Sequence, residues 1–241
     1  MKPKALVLQA HGTNRDVDVM DALTLAGASP IGVPLNDLRA RKTLWRDFQL
    51  LVLPGGFSYA DALGAGKLLA IDLTSYFADE ICAFVDSGKP VIGICNGFQA
   101  LVKSGILPRT YVVARSGAKA ATTTLAPAPS AGEQSHVRKD ISVQQETDLL
   151  AREEQLARND IPEATLTFNA RGHFECRWVN LRPVSQKCIW TKELEEMITC
   201  PVAHGEGNFQ VANSSLLSIF QTQDQVALTY ICPDGSSANG D

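Results

Sequence analysis

The chain has 241 residues, 45% of them apolar and 20% charged, an ordinary globular composition that suits one large domain or one domain with an insert. Its formal net charge of −4 argues against a nucleic-acid partner, because proteins that bind nucleic acid usually present a basic face. No run approaches the roughly 18 apolar residues of a membrane span, and the short apolar run after Met1 predicts a first strand and not a signal peptide.

The first 108 residues alternate short apolar runs with helical patterns. Apolar runs that end at glycine, proline or polar turns predict four strands, at residues 5–9, 31–34, 48–53 and 91–95. Helical patterns predict a helix capped by Asp16 or Asp18 and stopped by Gly27, and further helices near 60–69, 73–87 and 98–103. Near-continuous apolar strands separated by helices predict an α/β fold, a mainly parallel sheet with helices on both faces.

Beyond Pro108 the character of the chain changes. Residues 109–160 offer too little apolar surface to offset the entropy of ordering, so we predict a largely disordered insert there, with one short helix near Glu153. Strand patterns then dominate, at residues 164–168, 177–181, 200–204, 208–211 and 226–231. We therefore expect a single domain over residues 1–241, with this insert and a β-rich C-terminal part.

Six cysteines are spread along the chain without C-x-x-C pairs or zinc-finger spacing: Cys82, Cys95, Cys176, Cys188, Cys200 and Cys232. We expect no metal site, and free thiols in a reducing cytoplasm. A small buried hydrophobe is the default role of such a cysteine, and we keep that interpretation for all of them except Cys95.

Cys95 lies in Gly93-Ile94-Cys95-Asn96-Gly97, between a predicted buried strand and a helix. A sharp strand-to-helix turn brings backbone close to its central residue, so only small neighbours fit, as in the G-x-S-x-G elbow of hydrolases. The positive end of the following helix favours the thiolate form, and its free N–H groups can hold an oxyanion. Because ligands bind at the carboxyl edge of parallel sheets, we predict that Cys95 is a nucleophile.

Two further segments could complete the site. Pro54-Gly55-Gly56-Phe57 ends the preceding apolar strand at the same sheet edge, where glycines let backbone N–H groups point inward; an ordinary turn is the alternative. His204-Gly205-Glu206-Gly207 follows another apolar run. Residues two apart on a strand face the same way, so Glu206 could orient the imidazole of His204 as a base, although a solvated turn fits equally well.

Several stretches together resemble a known family. They are G-T-N at 12–14, L-P-G-G-F-S-Y at 53–59, G-A-G-K at 64–67, G-I-C-N-G-F-Q at 93–99, L-V-K-S-G-I-L-P at 101–108, L-T-F-N at 166–169, F-E-C-R-W-V at 174–179 and P-V-A-H-G-E-G-N-F at 201–209. Their order and spacing are similar to those of triad-type (class I) glutamine amidotransferases, and within that class to the glutaminase subunits of phosphoribosylformylglycinamidine synthase, a ligase of purine biosynthesis. The resemblance implies a flavodoxin-like three-layer fold.

The resemblance also implies a mechanism. Cys95 would attack the side-chain amide of glutamine, backbone N–H groups of Gly56 and Asn96 would hold the oxyanion, and Gly55 and Gln99 would line the glutamine pocket. Ammonia would pass to a separate synthetase subunit that uses ATP and Mg²⁺ to convert formylglycinamide ribonucleotide to the amidine; a small accessory subunit is a further candidate partner. We expect no cofactor in this chain, which lacks a G-x-x-x-x-G-K-[ST] phosphate loop.

One departure from the family concerns the base. The family takes its catalytic His and Glu from a C-terminal Pro-His-Pro-Glu segment, which these 241 residues lack. Three explanations remain open: truncation, which we favour because the other motifs are intact; a degenerate subunit acting as a scaffold of the same complex; and recruitment of His204 and Glu206. A different cysteine-elbow protein of the flavodoxin-like class is a rival, but such proteins typically carry His where this chain has Asn96.

Overall fold

A four-stranded parallel sheet forms the centre of the N-terminal part in the computed structural model, which describes residues 2–108 and 163–238. Its strands are β1 (Lys4–Gln9), β2 (Ser29–Pro34), β3 (Leu50–Leu53) and β4 (Val91–Gly93), in the order β2-β1-β3-β4. All three neighbouring pairs are parallel. The order places β2 on one side of β1 and β3 on the other, so the carboxyl ends of β1 and β3 flank a switch point of the sheet, where open α/β sheets bind ligands.

Helices cover both faces of this sheet. Successive strand residues face opposite ways, so Leu51 and Leu53 pack against α3 (Lys67–Tyr76), α4 (Ala78–Asp86) and α5 (Asn96–Lys103), while Val52 packs against Val19 of α1 (Asp16–Leu25). A short α2 (Leu35–Arg39) follows β2. The α/β class and the three-layer arrangement are confirmed. Among residues 2–108 and 163–238, no helix has the length and apolar character to cross a bilayer.

The C-terminal part is rich in antiparallel strands, as predicted. It contains β5 (Ala164–Thr167), β6 (Glu175–Pro183), β7 (Ile198–His204), β8 (Asn208–Val211), α6 (Ser214–Thr222) and β9 (Leu228–Ile231). Strand β5 pairs with β8, and β7-β6-β9 form a second small sheet. Val102 of α5 packs with Ala164 and Leu166 of β5, which joins this part to the parallel sheet. The described residues, 2–108 and 163–238, therefore form one compact unit.

Several helix predictions were wrong in detail. The predicted helix near 60–69 is a turn over Ser58–Asp61 followed by α3, which begins only at Lys67. Neither Asp16 nor Asp18 caps α1; both lie in its first turn, where a negative charge still favours the helix dipole. Helix α6 was not predicted. The predicted insert at 109–160, with its helix near Glu153, lies outside the described residues, so the single-domain hypothesis for the whole chain stays a prediction.

Candidate active site

Cys95 forms the turn between β4 and α5. Its φ of 51° and ψ of −114° lie in a region that residues with a side chain rarely adopt, and its side chain is exposed. The Ile94 N–H donates to the Leu53 carbonyl at 3.0 Å and the Gly97 N–H to the Ile94 carbonyl at 2.9 Å, and these bonds hold the turn between β3 and α5. A strained residue that the surrounding structure holds in place is typical of functional sites. The predicted elbow is thus present.

The two glycines around Cys95 are required by close packing. A Cβ on Gly97 would overlap the carbonyl oxygen of Leu53, and one on Gly93 would lie 2.6 Å from Leu101 Cδ1 and 2.8 Å from the Gly97 carbonyl oxygen. Real Cβ atoms essentially never come within 3.0 Å of such neighbours. Helix α5 therefore starts directly against β3 and β4, and its N-terminus lies at Cys95.

The Gly55-Gly56 turn after β3 lies against Cys95, as the sequence predicted. A Cβ on Gly55 would lie 3.1 Å from Cys95 Cβ and 3.9 Å from its Sγ, so a side chain there would crowd the sulfur. Gly56 has a φ of 97°, and a Cβ on it would overlap Asn14 in the loop after β1. The loops after β1, β3 and β4 therefore meet at the switch point of the sheet, around one exposed thiol.

The side chain of Asn96 ties the elbow to the turn after Gly56. It is 3% exposed; its Oδ1 accepts from the backbone N–H of Ser58 at 3.3 Å and from the Ser58 hydroxyl. Its Nδ2 donates to Asp61 Oδ1 at 2.8 Å. These bonds fix the distance between the backbone of Asn96 and the Gly55-Gly56 turn. Because they restrain Tyr59, Ala60 and Asp61, all with positive φ, they also hold a strained segment in place.

Glu206 does not pair with His204, which was one of the two alternatives that the sequence left open. The Nδ1 atom of His204 lies 2.9 Å from Asn169 Oδ1, which also accepts from the Gly207 N–H at 3.0 Å. The carboxylate of Glu206 instead contacts Lys103 Nζ at 2.7 Å. Strand β7 ends at His204, so the chain turns before Glu206, and the two residues no longer share a strand face.

A cleft of about 990 Å³ opens over Cys95. Its walls include every candidate site residue named from the sequence: Gly55, Gly56, Cys95, Asn96, Gln99, His204 and Glu206. The cleft is large enough for an amino acid substrate, since small-molecule sites typically measure about 300–1,000 Å³. Within residues 2–108 and 163–238, no group of three or more His, Cys, Asp or Glu side chains is arranged to hold a metal ion.

Comparison with known families agrees with this geometry. Residues 2–131 and 145–240 match the family of CobB/CobQ-like glutamine amidotransferase domains. The chain belongs to this glutamine amidotransferase family. A curated relative, phosphoribosylformylglycinamidine synthase subunit PurQ of Treponema denticola, is 46% identical over 244 aligned residues that cover 100% of this chain and 77% of the relative.

Two further relatives extend the comparison. The PurQ subunit of Dehalococcoides mccartyi is 35% identical over an alignment that covers 86% of this chain and 62% of that protein. The structure of PurLQS from Thermotoga maritima superimposes with a TM-score of 0.61 at 26% identity, covering 98% of this chain and 78% of the other. This amidotransferase therefore shares both sequence and fold with PurQ proteins.

Two residues of this amidotransferase site, Lys103 and Asn169, and the role of the Asn96 side chain do not follow from the sequence. The resemblance assigns a role only to the backbone N–H of Asn96, although a polar side chain beside a predicted nucleophile is itself a signal. Lys103 and Asn169 lie in L-V-K-S and L-T-F-N, two of the segments that resemble the family. Their partners, Glu206 and His204, are 103 and 35 residues away, and no local pattern encodes such a pairing.

Proposed function

We propose that this chain hydrolyses glutamine to glutamate and ammonia at Cys95, as the glutaminase subunit of phosphoribosylformylglycinamidine synthase in purine biosynthesis. The 46% identity to a PurQ subunit over the whole chain supports this assignment. The observation that carries the chemistry is the exposed, strained Cys95 at the N-terminus of α5, in contact with Gly55. Those features give a nucleophile, an electrostatic environment for negative charge and an open cleft.

The proposed first step forms a thioester. The thiolate sulfur of Cys95 attacks the side-chain amide carbon of glutamine, and the carbonyl electron pair moves onto the oxygen. We infer that the backbone N–H groups of Gly56 and Asn96 hold this oxyanion, because Asn96 begins α5 directly after Cys95 and Gly56 follows Gly55, which lies against Cys95. Collapse of the intermediate breaks the carbon–nitrogen bond, and the nitrogen takes up a proton and leaves as ammonia. Water then hydrolyses the thioester to glutamate and restores the thiol.

Proton transfer to the leaving nitrogen and from the water needs an acid–base group, and His204 is our candidate. Its Nδ1 faces Asn169 Oδ1, an acceptor that also receives the Gly207 N–H. Nδ1 therefore carries the proton in neutral His204, and Nε2 can accept one. If His204 is the base, His204→Gln lowers glutamine turnover by about 10²–10⁴-fold. A decrease below about threefold would assign the proton transfer to another group.

The ammonia acceptor lies on a partner in this proposal. A similar solved structure is that of PurLQS from Thermotoga maritima. We infer that this chain works with a synthetase subunit that holds ATP and Mg²⁺, that a small accessory subunit joins the complex, and that this chain needs no cofactor of its own.

The test separates ammonia release from ammonia use. Reconstituted with the synthetase subunit, the wild-type chain should support amidine synthesis from glutamine or from ammonium. Cys95→Ala should abolish the glutamine-dependent reaction and leave the ammonium-dependent one intact. Cys176→Ala, which removes another exposed thiol, is the matched control and should change neither. A wild-type chain that supports only the ammonium reaction would overturn the proposal and indicate a scaffold.

A further inference from the structure

Lys103 and Glu206 join three segments that are distant in the sequence. Lys103 Nζ lies 2.7 Å from Glu206 Oε2 and donates to the Ala65 carbonyl at 2.7 Å. The Ala65 N–H donates to Glu206 Oε1 at 3.0 Å. The Gln99 side-chain amide donates to the Glu206 carbonyl at 2.8 Å. The G-A-G-K loop, α5 and the H-G-E-G turn are thus held together by four polar contacts.

The pair is largely withdrawn from solvent. The side chains of Lys103 and Glu206 are 13% and 15% exposed. Burial alone raises the pKa of Glu206, but the hydrogen bonds from Lys103 and the Ala65 N–H, together with the Lys103 charge, outweigh it and hold the pKa below its usual value. Glu206 is therefore an anion whose charge is matched at neutral pH. A carboxylate whose pKa is lowered by Lys103 and the Ala65 N–H is a poor base for the Cys95 thiol.

Ala65 fixes the orientation of the pair. It offers its N–H to the carboxylate and its carbonyl to the ammonium group. Exchanging the two charges would place a cation at the N–H and an anion at the carbonyl, and both contacts would become repulsive. The arrangement is therefore specific for lysine on α5 and glutamate on the turn. A simple ion pair, in contrast, would survive an exchange of the two charged residues.

The network lines the wall of the cleft and meets the elbow through two longer contacts, from Asn96 Nδ2 to Gln99 Oε1 at 3.5 Å and from the Gly66 N–H to Asp61 Oδ1 at 3.2 Å. Gln99, His204 and Glu206 all line the cleft over Cys95. The shorter backbone hydrogen bonds of the elbow, between Ile94 and Leu53 at 3.0 Å and between Gly97 and Ile94 at 2.9 Å, involve no member of the network. Loosening the Glu206 turn should therefore displace the wall while the geometry of the thiol persists.

We propose that Glu206, held by Lys103 and Ala65, is a positioning residue that sets the H-G-E-G wall of the cleft against α5 and thereby governs glutamine binding but not the reactivity of the thiol. The binding part of this inference rests on the proposed function. Loss of a hydrogen bond to a charged group typically weakens an interaction by about 10- to 100-fold. Glu206→Gln and Lys103→Met should therefore each raise KM for glutamine by at least about tenfold. They should leave kcat within about threefold of wild type, because Asn169 Oδ1 holds His204 at 2.9 Å independently of Glu206.

Two further measurements, hydrogen–deuterium exchange and alkylation of Cys95, do not depend on glutaminase activity. They and the kinetics all use the full chain. Hydrogen–deuterium exchange should speed up at residues 64–67 and 203–209 in both variants, and stay unchanged at residues 93–98. The rate at which iodoacetamide alkylates Cys95 should stay within about twofold of wild type, because a small neutral electrophile does not need the wall. The charge-reversed double variant Lys103→Glu/Glu206→Lys should show the same defects and no rescue. The control Asp37→Asn, which breaks the exposed Lys42–Asp37 pair, should change none of them.

The outcomes keep the two proposals apart. Unchanged exchange at 64–67 and 203–209 in Glu206→Gln would overturn the inference whatever the activity. Faster exchange with an unchanged KM, or full rescue by charge reversal, would also overturn it. A wild-type chain that exchanges as expected but never hydrolyses glutamine, with or without its synthetase partner, would contradict the proposed function while leaving the positioning network in place.

Discussion

The strain at Cys95 predicts that the protein is more stable with glycine than with alanine at position 95. We compare Cys95→Gly with Cys95→Ala, because both remove the thiol and only glycine accommodates a φ of 51° and a ψ of −114° without a steric penalty. The difference between the two variants therefore isolates the backbone strain. A thiol contact, a change in hydration or a lost reaction would affect both alike.

The expected difference follows from two opposing terms. A residue in such a sparsely populated region costs about 1–3 kcal/mol, which glycine removes. Glycine also gives the unfolded chain more freedom, which costs about 0.4–1 kcal/mol relative to alanine. With mid-range values, Cys95→Gly should exceed Cys95→Ala by about 1 kcal/mol in the free energy of unfolding, or about 2–4 °C in Tm for a chain of this size.

Urea denaturation followed by circular dichroism measures the difference. The control is Ala83→Gly, the same change at an exposed site within α4, where glycine should destabilise by about 1 kcal/mol. Opposite signs at positions 95 and 83 would confirm a strained elbow. If Cys95→Gly is no more stable than Cys95→Ala, the turn is not strained and the argument from its dihedral angles fails.

Two further predictions concern the surroundings of the elbow. Gly97→Ala should destabilise the fold by about 3 kcal/mol or more in urea denaturation, because the new Cβ would overlap the Leu53 carbonyl oxygen. The control is Gly205→Ala, whose Cβ would meet nothing nearer than 3.9 Å and which should change the free energy of unfolding by less than about 0.5 kcal/mol. Burial, then the hydrogen bond and charge of Asp72, raise the pKa of Tyr59 to about 12. The folded state thus binds more protons than the unfolded state between about pH 10 and 12, so the free energy of unfolding should fall as pH rises through that range. It should fall less in Tyr59→Phe, and an equal dependence on pH in the wild type and the variant would contradict this.

The parallel sheet and the elbow were predictable because their signals are local. Apolar runs bounded by glycine, proline or polar turns indicate β1 to β4, and the spacing of Gly93 and Gly97 around Cys95 encodes a close approach that the structure contains. The contact between Gly55 and Cys95 followed from topology, since the carboxyl ends of neighbouring parallel strands meet at one edge.

The remaining features depend on tertiary structure. Whether His204 and Glu206 share a face depends on where β7 ends, which the residues P-V-A-H-G-E do not reveal. Helix α6 buries only Phe220, and Asn213 caps it by accepting from the Leu216 N–H at 3.1 Å. The Lys103–Glu206 contact spans 103 residues and becomes visible only when the chain has folded.

Site-specific labelling shows whether Cys95 is a nucleophile that binds glutamine. Azaserine, a glutamine analogue whose diazo carbon alkylates thiols with loss of dinitrogen, is incubated with the full chain, and peptide mass spectrometry then locates the adduct among the six cysteines. We expect a single adduct on Cys95, suppressed by glutamine and not by glutamate at the same concentration. Labelling spread over several cysteines, or labelling of Cys95 that glutamine does not suppress, would contradict a glutamine-binding nucleophile at this position.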